Sequence, residues 1–359
     1  MIDTDSGSSL ITGKSMFGRS DFIDLRSDTV TRPTARMYER MQDAPLGDDG
    51  LEGDPSAVRL EAAVADLLGK EAGLFVPSCT MANMLAILTL TQRFEQVALE
   101  QDSHIYTMEC GATFLGGALF RPVSGSRGQM DLDHLADTVA YGKRRHIPTR
   151  LICLETSHNN SGGTVLPLEH IDQVATFARR VGASMHLDGA RIFNACAFLN
   201  VAPSTIAAPF DTASICLSKG LSAPAGALLV GTTKTIHKAR QLRKFLGGTQ
   251  RQIGILAAAG LEAITTMRGR LHEDHQHAKL LSQLIKASCP NLQVSDPETN
   301  IVQLDCSATG KSSDHWVDAL DRAGVKVRAI GSHRIRCVTH RHIDAHAIRQ
   351  AAEAFRMIG

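Results

Sequence analysis

A lysine, an aspartate and an arginine stand directly after short apolar runs in the second half of the chain. Lys219 follows "SICLS", Asp188 ends "ASMHLD", and Arg191 comes three residues after that aspartate. Charged side chains are rarely buried without a partner, so Lys219 is either a turn residue that faces water or a functional amine. A lysine held in a dry pocket can form a Schiff base with a carbonyl cofactor.

Two further apolar runs end in polar residues that could complete such a site. "GLFVPS" leads into Cys79 and Thr80, and "RLICLE" leads into a segment that contains His158. In an open parallel sheet, ligands lie at the carboxyl ends of the strands, and a helix N-terminus there offers N–H groups to a phosphate. Pyridoxal phosphate needs amides for its phosphate, a carboxylate for its ring nitrogen and a lysine for its aldehyde. The ordered set of strand ends therefore predicts a pyridoxal-phosphate site.

The elements that must position these residues alternate between apolar strands and amphipathic helices. Asp54 and Pro55 are typical of an N-cap and a first helical position, and Gly182 is typical of a helix end. This alternation favours an α/β fold with a mostly parallel sheet covered by helices. The strand candidates are "GLFVPS", "QVALE", "RLICLE", "ASMHLD" and "TASICLS".

The pattern changes after about residue 265. A long polar helix, "GRLHEDHQHAKLLSQLIKAS", is followed by the strand-like segments "NIVQLDC", "VKVRAI" and "RIRCVTH". We expect a mobile N-terminal tail over residues 1–22, a large cofactor-binding domain over 23–265, and a smaller C-terminal α+β domain over 266–359.

Composition and charge narrow the class of protein. The 359 residues contain 38 Lys and Arg against 37 Asp and Glu, so the charge balance gives no basis for nucleic-acid binding. No apolar run reaches the length of a membrane span, and the start of the chain lacks the features of a signal peptide. The eight cysteines are scattered without a CxxC pair, which favours reduced thiols and a cytoplasmic protein.

Several long motifs are similar to those of the L-threonine aldolase family. They are "IDLRSDTVTRPT", "FVPSCTMAN", "HLDGARIFNA", "CLSKGLSAPAG", "FLGGTQRQIG" and "RCVTH". The resemblance implies the aspartate-aminotransferase-type fold (fold type I), with a large domain built on a seven-stranded sheet. It also implies pyridoxal phosphate as cofactor, and cleavage of L-threonine, L-allo-threonine or related L-β-hydroxy-α-amino acids to glycine and an aldehyde.

The resemblance assigns roles around the cofactor. Lys219 would form the Schiff base and Asp188 would pair with the ring nitrogen. Cys79 and Thr80 would give amides to the phosphate. His104, in "DSHIYTMECGA", would stack on the ring.

The resemblance also assigns substrate and anion contacts. Arg191 and Arg336 would hold the substrate carboxylate or the cofactor hydroxyl, with Ser27 nearby. His158 would lie near the β-hydroxyl of the substrate, and Arg251 would be a further anion contact. Either His104 or His158 could be the catalytic base, or a water molecule held by one of them could act instead. Ser27 and Asp28 could instead be capping residues, and Arg251 could lie in a surface ion pair.

The chain departs from the family pattern at three places. Cys79 replaces a glycine, which strains the backbone only if that position needs a positive φ. A tyrosine usual in the family is missing near Leu51, and Thr249 and Gln250 replace Gly and Met.

Other functions and sites stay open on the sequence. Another pyridoxal-phosphate reaction, either racemisation or β-elimination, would use the same lysine and aspartate, and a non-enzymatic role on the same scaffold is a third interpretation. We expect no catalytic metal, since the His340–His342 pair lacks an evident third ligand. The cluster His272, His275 and His277 is typical of a solvated helix face.

The resemblance implies a homo-oligomer, either a dimer or a dimer of dimers (a homotetramer), with active sites shared between subunits. Two Gly-rich polar segments, "LGDDGLEGDP" and "KFLGGTQRQ", favour this arrangement, because loops that reach a neighbouring site explain their length.

Overall fold

The structure is a computed structural model that describes residues 22–359. The predicted mobile tail, residues 1–22, therefore lies outside the described residues except for Phe22. The strands are β1 (Ile23–Asp24), β2 (Ala72–Val76), β3 (Gln96–Glu100), β4 (Leu119–Val123), β5 (Gly125–Ser126), β6 (Gln129–Met130), β7 (Thr149–Glu155), β8 (Ser184–Gly189), β9 (Thr212–Cys216), β10 (Ala227–Gly231), β11 (Gln293–Val294), β12 (Ile301–Asp305), β13 (Val325–Lys326), β14 (Arg328–Gly331) and β15 (Arg334–Val338).

Most of the described helices flank these strands. They are α1 (Ala35–Gln42), α2 (Pro55–Leu67), α3 (Cys79–Leu90), α4 (His104–Met108), α5 (Gly111–Gly116), α6 (Leu132–Arg144), α7 (Leu168–Val181), α8 (Ile192–Leu199), α9 (Pro203–Ala207), α10 (Thr233–Phe245), α11 (Gly254–Thr266), α12 (Leu271–Ser288), α13 (Ser313–Arg322) and α14 (Ala345–Ile358). Short 3-10 turns cover Asp28–Val30, Met267–Arg270 and Ser307–Thr309.

The central sheet has seven strands in the order β2-β10-β9-β8-β7-β3-β4. Six strands share one direction, and β10 runs antiparallel to both of its neighbours. The predicted α/β fold with a mostly parallel seven-stranded sheet is therefore confirmed. The five apolar runs all form strands of this sheet. The pattern did not predict β4, because this edge strand is only partly buried and has no continuous apolar run.

Local capping follows the sequence closely. Asp54 accepts hydrogen bonds from the backbone N–H groups of Ser56 and Ala57 at 2.9 and 3.1 Å, and Pro55 opens α2. Gly182 ends α7 with a φ of 71°, a conformation that glycine adopts without steric cost. These ends fix how the helices enter and leave the sheet.

The C-terminal part has its own four-stranded sheet, in the order β11-β12-β15-β14, and its own apolar core. Trp316 is fully buried in that core and stacks on Phe355 with ring centroids 5.9 Å apart. The N-terminal arm crosses to this part, because β1 pairs in parallel with β13. The region predicted to form a smaller α+β unit thus contains a sheet and an apolar core of its own. The boundary at residues 265–266 stays a prediction.

Three of the histidines outside the central sheet make hydrogen bonds to other parts of the described chain. His340 Nε2 lies 2.8 Å from the Asp24 carbonyl oxygen, and His342 Nε2 accepts the Arg32 N–H at 3.1 Å, so this pair holds the N-terminal arm. His275 is buried, with Nε2 3.0 Å from Asn194 Oδ1. The expectation of a solvated face is wrong for His275, because that side of α12 packs on α8.

Two general expectations can be compared with the described part of the chain. None of its helices combines the length and the apolar character needed to span a membrane. All eight cysteines are free thiols, and six of them are buried.

Candidate active site

Polar residues from separate strand ends meet at the carboxyl edge of the central sheet. Asp188 lies near the end of β8, Lys219 follows β9 by three residues, and His104 opens α4 just after β3. Cys79 opens α3, three residues after the end of β2. The pocket therefore lies outside the carboxyl ends of the parallel strands, where ligands of such sheets are expected to bind.

The amine of Lys219 has no hydrogen-bond or ion-pair partner within residues 22–359, although the side chain is half-buried. The backbone around it is held, because Lys219 O accepts from Thr31 Oγ1 at 2.8 Å and from Ser222 N at 2.9 Å. Burial and the charge of Arg191 lower the pKa of the amine, but the neighbouring Cys216, Cys79 and Asp188 outweigh them and keep it above its ordinary value. Among the described residues the amine thus has no bonded partner, and it must lose its proton before it can condense with an aldehyde.

Asp188 supplies a buried carboxylate, only 2% exposed, to the same pocket. Its Oδ1 accepts the Ala190 N–H at 3.1 Å and its Oδ2 accepts Asn83 Nδ2–H at 2.9 Å. Because each oxygen accepts a hydrogen bond, the carboxylate is held in one orientation. Such a group fits a protonated pyridine nitrogen.

The first turn of α3 offers backbone donors that have no partner in the described part of the chain. Ser78 Oγ accepts the N–H of Met81, and the Ser78 carbonyl accepts that of Ala82, so the N–H groups of Cys79 and Thr80 are left for another acceptor. Cys79 is the first helical residue and has no positive φ. Cysteine therefore replaces the family glycine without backbone strain, and the turn fits a phosphate.

His104 is held at two points. Its backbone N–H donates to Glu155 Oε2 at 2.6 Å, and its ring Nδ1 lies 2.7 Å from Glu109 Oε1. The hydrogen bond to Glu109 raises the pKa of His104 against the opposing effect of burial. Within residues 22–359 the other ring nitrogen, Nε2, makes no hydrogen bond, so it is available to a ligand.

His158 is fully buried, and both of its ring nitrogens are occupied. Nδ1 accepts the Ser161 N–H at 3.2 Å, and Nε2 lies 3.1 Å from Glu100 Oε2. Burial lowers the pKa of His158, but the negative charges of Glu155 and Glu100 outweigh it and leave the pKa above its ordinary value. Contact between this ring and the β-hydroxyl of a substrate therefore stays a prediction.

Arg191 is satisfied by an acidic partner from the N-terminal arm. Its Nε and Nη2 donate to Asp28 at 2.8 and 2.7 Å, and its Nη1 donates to Asn159 Oδ1 at 3.2 Å. Asn300 Nδ2 lies 3.3 Å from the same Asp28 carboxylate. The guanidinium is thus fixed in place with its charge compensated.

Arg336, on β15, has no carboxylate partner within residues 22–359 although it is only 5% exposed. Its Nη1 donates to Asn159 Oδ1 at 2.8 Å, its Nη2 donates to the Arg26 carbonyl at 3.2 Å, and its Nε has no partner. Burial and the nearby charges of Arg191 and Arg328 lower the pKa of Arg336 to about 10. A buried cation without a counter-ion fits a substrate carboxylate.

Two predicted site residues have other contacts in the described chain. Ser27 caps a 3-10 turn, with its Oγ accepting the Thr29 N–H at 3.2 Å. Arg251 is 68% exposed and pairs with Asp48 at 3.4 Å, so no contact joins it to this chain's own pocket residues. These contacts match the alternative interpretations from the sequence, a capping role for Ser27 and a surface ion pair for Arg251.

Sequence reasoning missed some of the residues that organise the site. Asp28 was weighed only as a cap, and Glu109 and Asn159 were not singled out. Asn83 lies three residues after Thr80, so both side chains fall on one face of α3, and this helical spacing was the available signal. The ligand atoms of His104, Glu109 and Asp188 lie within 4.8 Å of one another. We assign no metal to them, because Glu109 already bonds to His104 and Asn83 donates to Asp188.

Comparisons with known proteins agree with this geometry. The family model described as beta-eliminating lyase matches residues 24–308. The chain is 41% identical over 343 residues to "Probable low-specificity L-threonine aldolase 2" of Arabidopsis thaliana, covering 94% of this chain and 97% of that protein. It is 39% identical over 284 residues to the low specificity L-threonine aldolase of Escherichia coli strain K12, covering 79% of this chain and 84% of that protein.

A solved structure, that of the Leishmania major threonine aldolase, has the same fold. The two chains superpose with a TM-score of 0.80 at 16% identity, over 94% of this chain and all of the other. The family model and the sequence relatives show that the chain belongs to the beta-eliminating lyase family, among relatives named threonine aldolases.

Proposed function

We propose that the chain is a pyridoxal-phosphate-dependent carbon–carbon lyase. It cleaves L-threonine, and related L-β-hydroxy-α-amino acids such as L-allo-threonine, to glycine and an aldehyde. The observation that carries the proposal is the buried Arg336 guanidinium, which has no counter-ion among residues 22–359. It lies in the site that also contains the Lys219 amine, for which those residues likewise offer no partner. Relatives named low-specificity L-threonine aldolases support this substrate class.

The residues of the pocket fit the cofactor. Lys219 would hold its aldehyde carbon, Asp188 would keep its ring nitrogen protonated, and the N–H groups of Cys79 and Thr80 would bind its phosphate. When bound, the cofactor supplies an electron sink for the pair released as the Cα–Cβ bond breaks.

The substrate carboxylate is assigned to Arg336. A planar guanidinium can hold a carboxylate by two parallel hydrogen bonds, and Asn159 Oδ1 fixes the orientation of this one at 2.8 Å. Arg191 is already paired with Asp28, which supports the cofactor hydroxyl as its ligand rather than a second hold on the carboxylate. Ser27 lies next to Asp28 and is kept as a nearby substrate contact.

The proton of the β-hydroxyl is assigned to His104. A neutral imidazole can take that proton as the bond breaks. Nδ1 of this ring is held by Glu109, so Nε2 is the nitrogen left to act. His158 remains the second candidate, but its bonds to Ser161 and Glu100 favour a supporting role behind Glu155.

The assembly is assigned as a homo-oligomer, a dimer or a dimer of dimers, in the cytoplasm. The two Gly-rich segments contact each other, since the Asp49 N–H donates to the Arg251 carbonyl at 3.2 Å. Leu51 and Phe245, at 78% and 81% exposed, lie on these segments and support burial against another subunit. Arg251 would then serve as an anion contact in the neighbouring site.

A product assay tests the activity. Purified protein saturated with pyridoxal phosphate is incubated with L-threonine, and glycine and acetaldehyde are each quantified. Equal amounts of the two products support the aldolase reaction. Release of an α-keto acid with ammonia would show β-elimination instead, and formation of the D-amino acid without aldehyde would show racemisation.

A further inference from the structure

Every hydrogen-bonding position on the side chain of Asn83, in α3, is used. Its Oδ1 accepts from Ser214 Oγ at 2.7 Å and lies 3.0 Å from His186 Nε2. Its Nδ2 donates to Asp188 Oδ2 at 2.9 Å and lies 3.3 Å from each carboxylate oxygen of Glu109. An asparagine amide offers two acceptor positions and two N–H donors, so this side chain is saturated.

The orientation of the Asn83 amide follows from its partners. Asp188 and Glu109 are acidic, and ionised carboxylates only accept, so the NH₂ group must face them. The carbonyl oxygen therefore faces His186, whose Nε2 must carry the hydrogen. Burial lowers the pKa of His186 to about 4, which keeps the ring neutral, and its Nδ1 lies 2.8 Å from Thr212 Oγ1.

The amide joins the two carboxylates that matter for the proposed chemistry. Asp188 is the assigned partner of the cofactor's ring nitrogen, and Glu109 holds the ring of His104. Asn83, Asp188 and Glu109 are all buried. Without Asn83, these two buried carboxylates would lose the donor that they share.

We propose that Asn83 is a positioning residue that holds the carboxylates of Asp188 and Glu109 in place, so that the first can bind the cofactor's ring nitrogen and the second can orient His104. His186 and Ser214 act through Asn83, because they fix which way its amide points. The inference rests on the proposed function, since it takes Asp188 as the partner of the ring nitrogen.

The test measures cofactor affinity of the apoprotein as well as turnover. Equilibrium dialysis with pyridoxal phosphate should give a dissociation constant about tenfold or more higher for Asn83→Ala than for the unchanged protein, since hydrogen bonds to a charged group are lost. For L-threonine, kcat should fall while KM stays close to its original value, because Arg336 is untouched. Ser214→Ala, a gentler change, should weaken cofactor binding in the same direction by a smaller factor.

Asn194→Ala is the matched control. Asn194 is also buried, and its Oδ1 lies 3.0 Å from a histidine, His275. Its loss should lower the thermal unfolding midpoint as the loss of Asn83 does, but leave the affinity for pyridoxal phosphate within about twofold of the original.

The outcomes separate the two proposals. If the unchanged protein neither binds pyridoxal phosphate nor cleaves L-threonine, the proposed function fails. If it does both, and Asn83→Ala and Ser214→Ala bind the cofactor as tightly as Asn194→Ala, the role of Asn83 is overturned. An equal loss of affinity in Asn194→Ala would also overturn it, because general loosening would then explain the effect. Should Asn83→Ala not fold, Ser214→Ala against Asn194→Ala decides.

Discussion

Asp28 and Arg191 form a two-pronged ion pair inside the protein, with Nε–Oδ2 and Nη2–Oδ1 distances of 2.8 and 2.7 Å. Asp28 is 0% exposed and Arg191 is 6% exposed, so neither charge is compensated by water. The pair ties the N-terminal arm to the start of α8, directly after the strand that carries Asp188. Arg191 is thereby held in position, which leaves Arg336 as the arginine of the site without a carboxylate partner among the described residues.

Breaking this pair from one side should be strongly destabilising. Asp28→Ala leaves the Arg191 guanidinium buried and unpaired, and we expect the free energy of unfolding to fall by about 3–5 kcal/mol. Asp24→Ala is the control, since its partner Arg26 is largely exposed and such pairs contribute about 0–1 kcal/mol. Urea denaturation of both variants checks this, and similar losses would contradict a special role for the buried pair.

The contribution of Asp28 should depend on pH in a defined direction. Burial alone would raise the pKa of Asp28, but the charges of Arg191 and Lys219 hold it well below its ordinary value. A lowered pKa in the folded state stabilises the protein above the unfolded value of about 3.9, and the effect is lost as the pH falls through the folded value. The stability difference between the unchanged protein and Asp28→Asn should therefore shrink below about pH 4.

Arg336 should control substrate binding. Arg336→Ala removes the assigned carboxylate contact, and we expect a loss of about 2–5 kcal/mol in binding, seen chiefly as a higher KM for L-threonine. Arg336→Lys should recover only part of it, because an ammonium cannot form the forked contact. Arg334→Ala, at an exposed arginine that begins the same strand β15, is the control. An unchanged KM in Arg336→Ala would remove Arg336 from the substrate site.

Much of the fold and some of the candidate site residues can be predicted from the sequence. Continuous apolar runs predict buried parallel strands, and the residues at the strand ends, Asp188 and Lys219, are predictable because ligands gather there. Caps such as Asp54 and Gly182 are local signals and are confirmed.

The remaining contacts join residues that are distant in the chain. Asn83 meets Asp188 across 105 positions, and Asp28 meets Arg191 across 163. A polar residue in a helix or a turn gives no local sign that it will be buried against another charge, because that depends on how the elements pack. For the same reason, the burial of His158 could not be read from the segment that contains it.

The pH dependence of kcat/KM should reveal the titration of the histidine that accepts the β-hydroxyl proton. His104 must be neutral to accept it, and Glu109 raises its pKa, so log(kcat/KM) should rise with pH through a midpoint above the ordinary value of about 6.5. Glu109→Gln removes the charge that raises this pKa, so the midpoint should move to lower pH. A midpoint that does not move would mean that another group sets the acid limb.

Shared sites can be tested by mixing two inactive subunits. Lys219→Ala lacks the amine, and Arg251→Ala lacks the anion contact assigned to the neighbouring site. In a randomly mixed dimer, up to about a quarter of the sites would have both residues, so activity should reappear after co-refolding. Mass spectrometry confirms the mixed dimers. Suppose that mixed dimers form, that each variant is inactive alone, and that mixing restores no activity. Each site would then be independent of the neighbouring subunit's Arg251.

The central claim is that Lys219 carries the cofactor in a threonine-cleaving site, and peptide mapping after borohydride reduction tests it most directly. Protein loaded with pyridoxal phosphate is reduced, digested and analysed by mass spectrometry, with and without prior addition of L-threonine. We predict a reduced pyridoxyl group on the peptide that contains Lys219, and a loss of that label when substrate is added first. Label on a different lysine, with none on Lys219, would contradict the account.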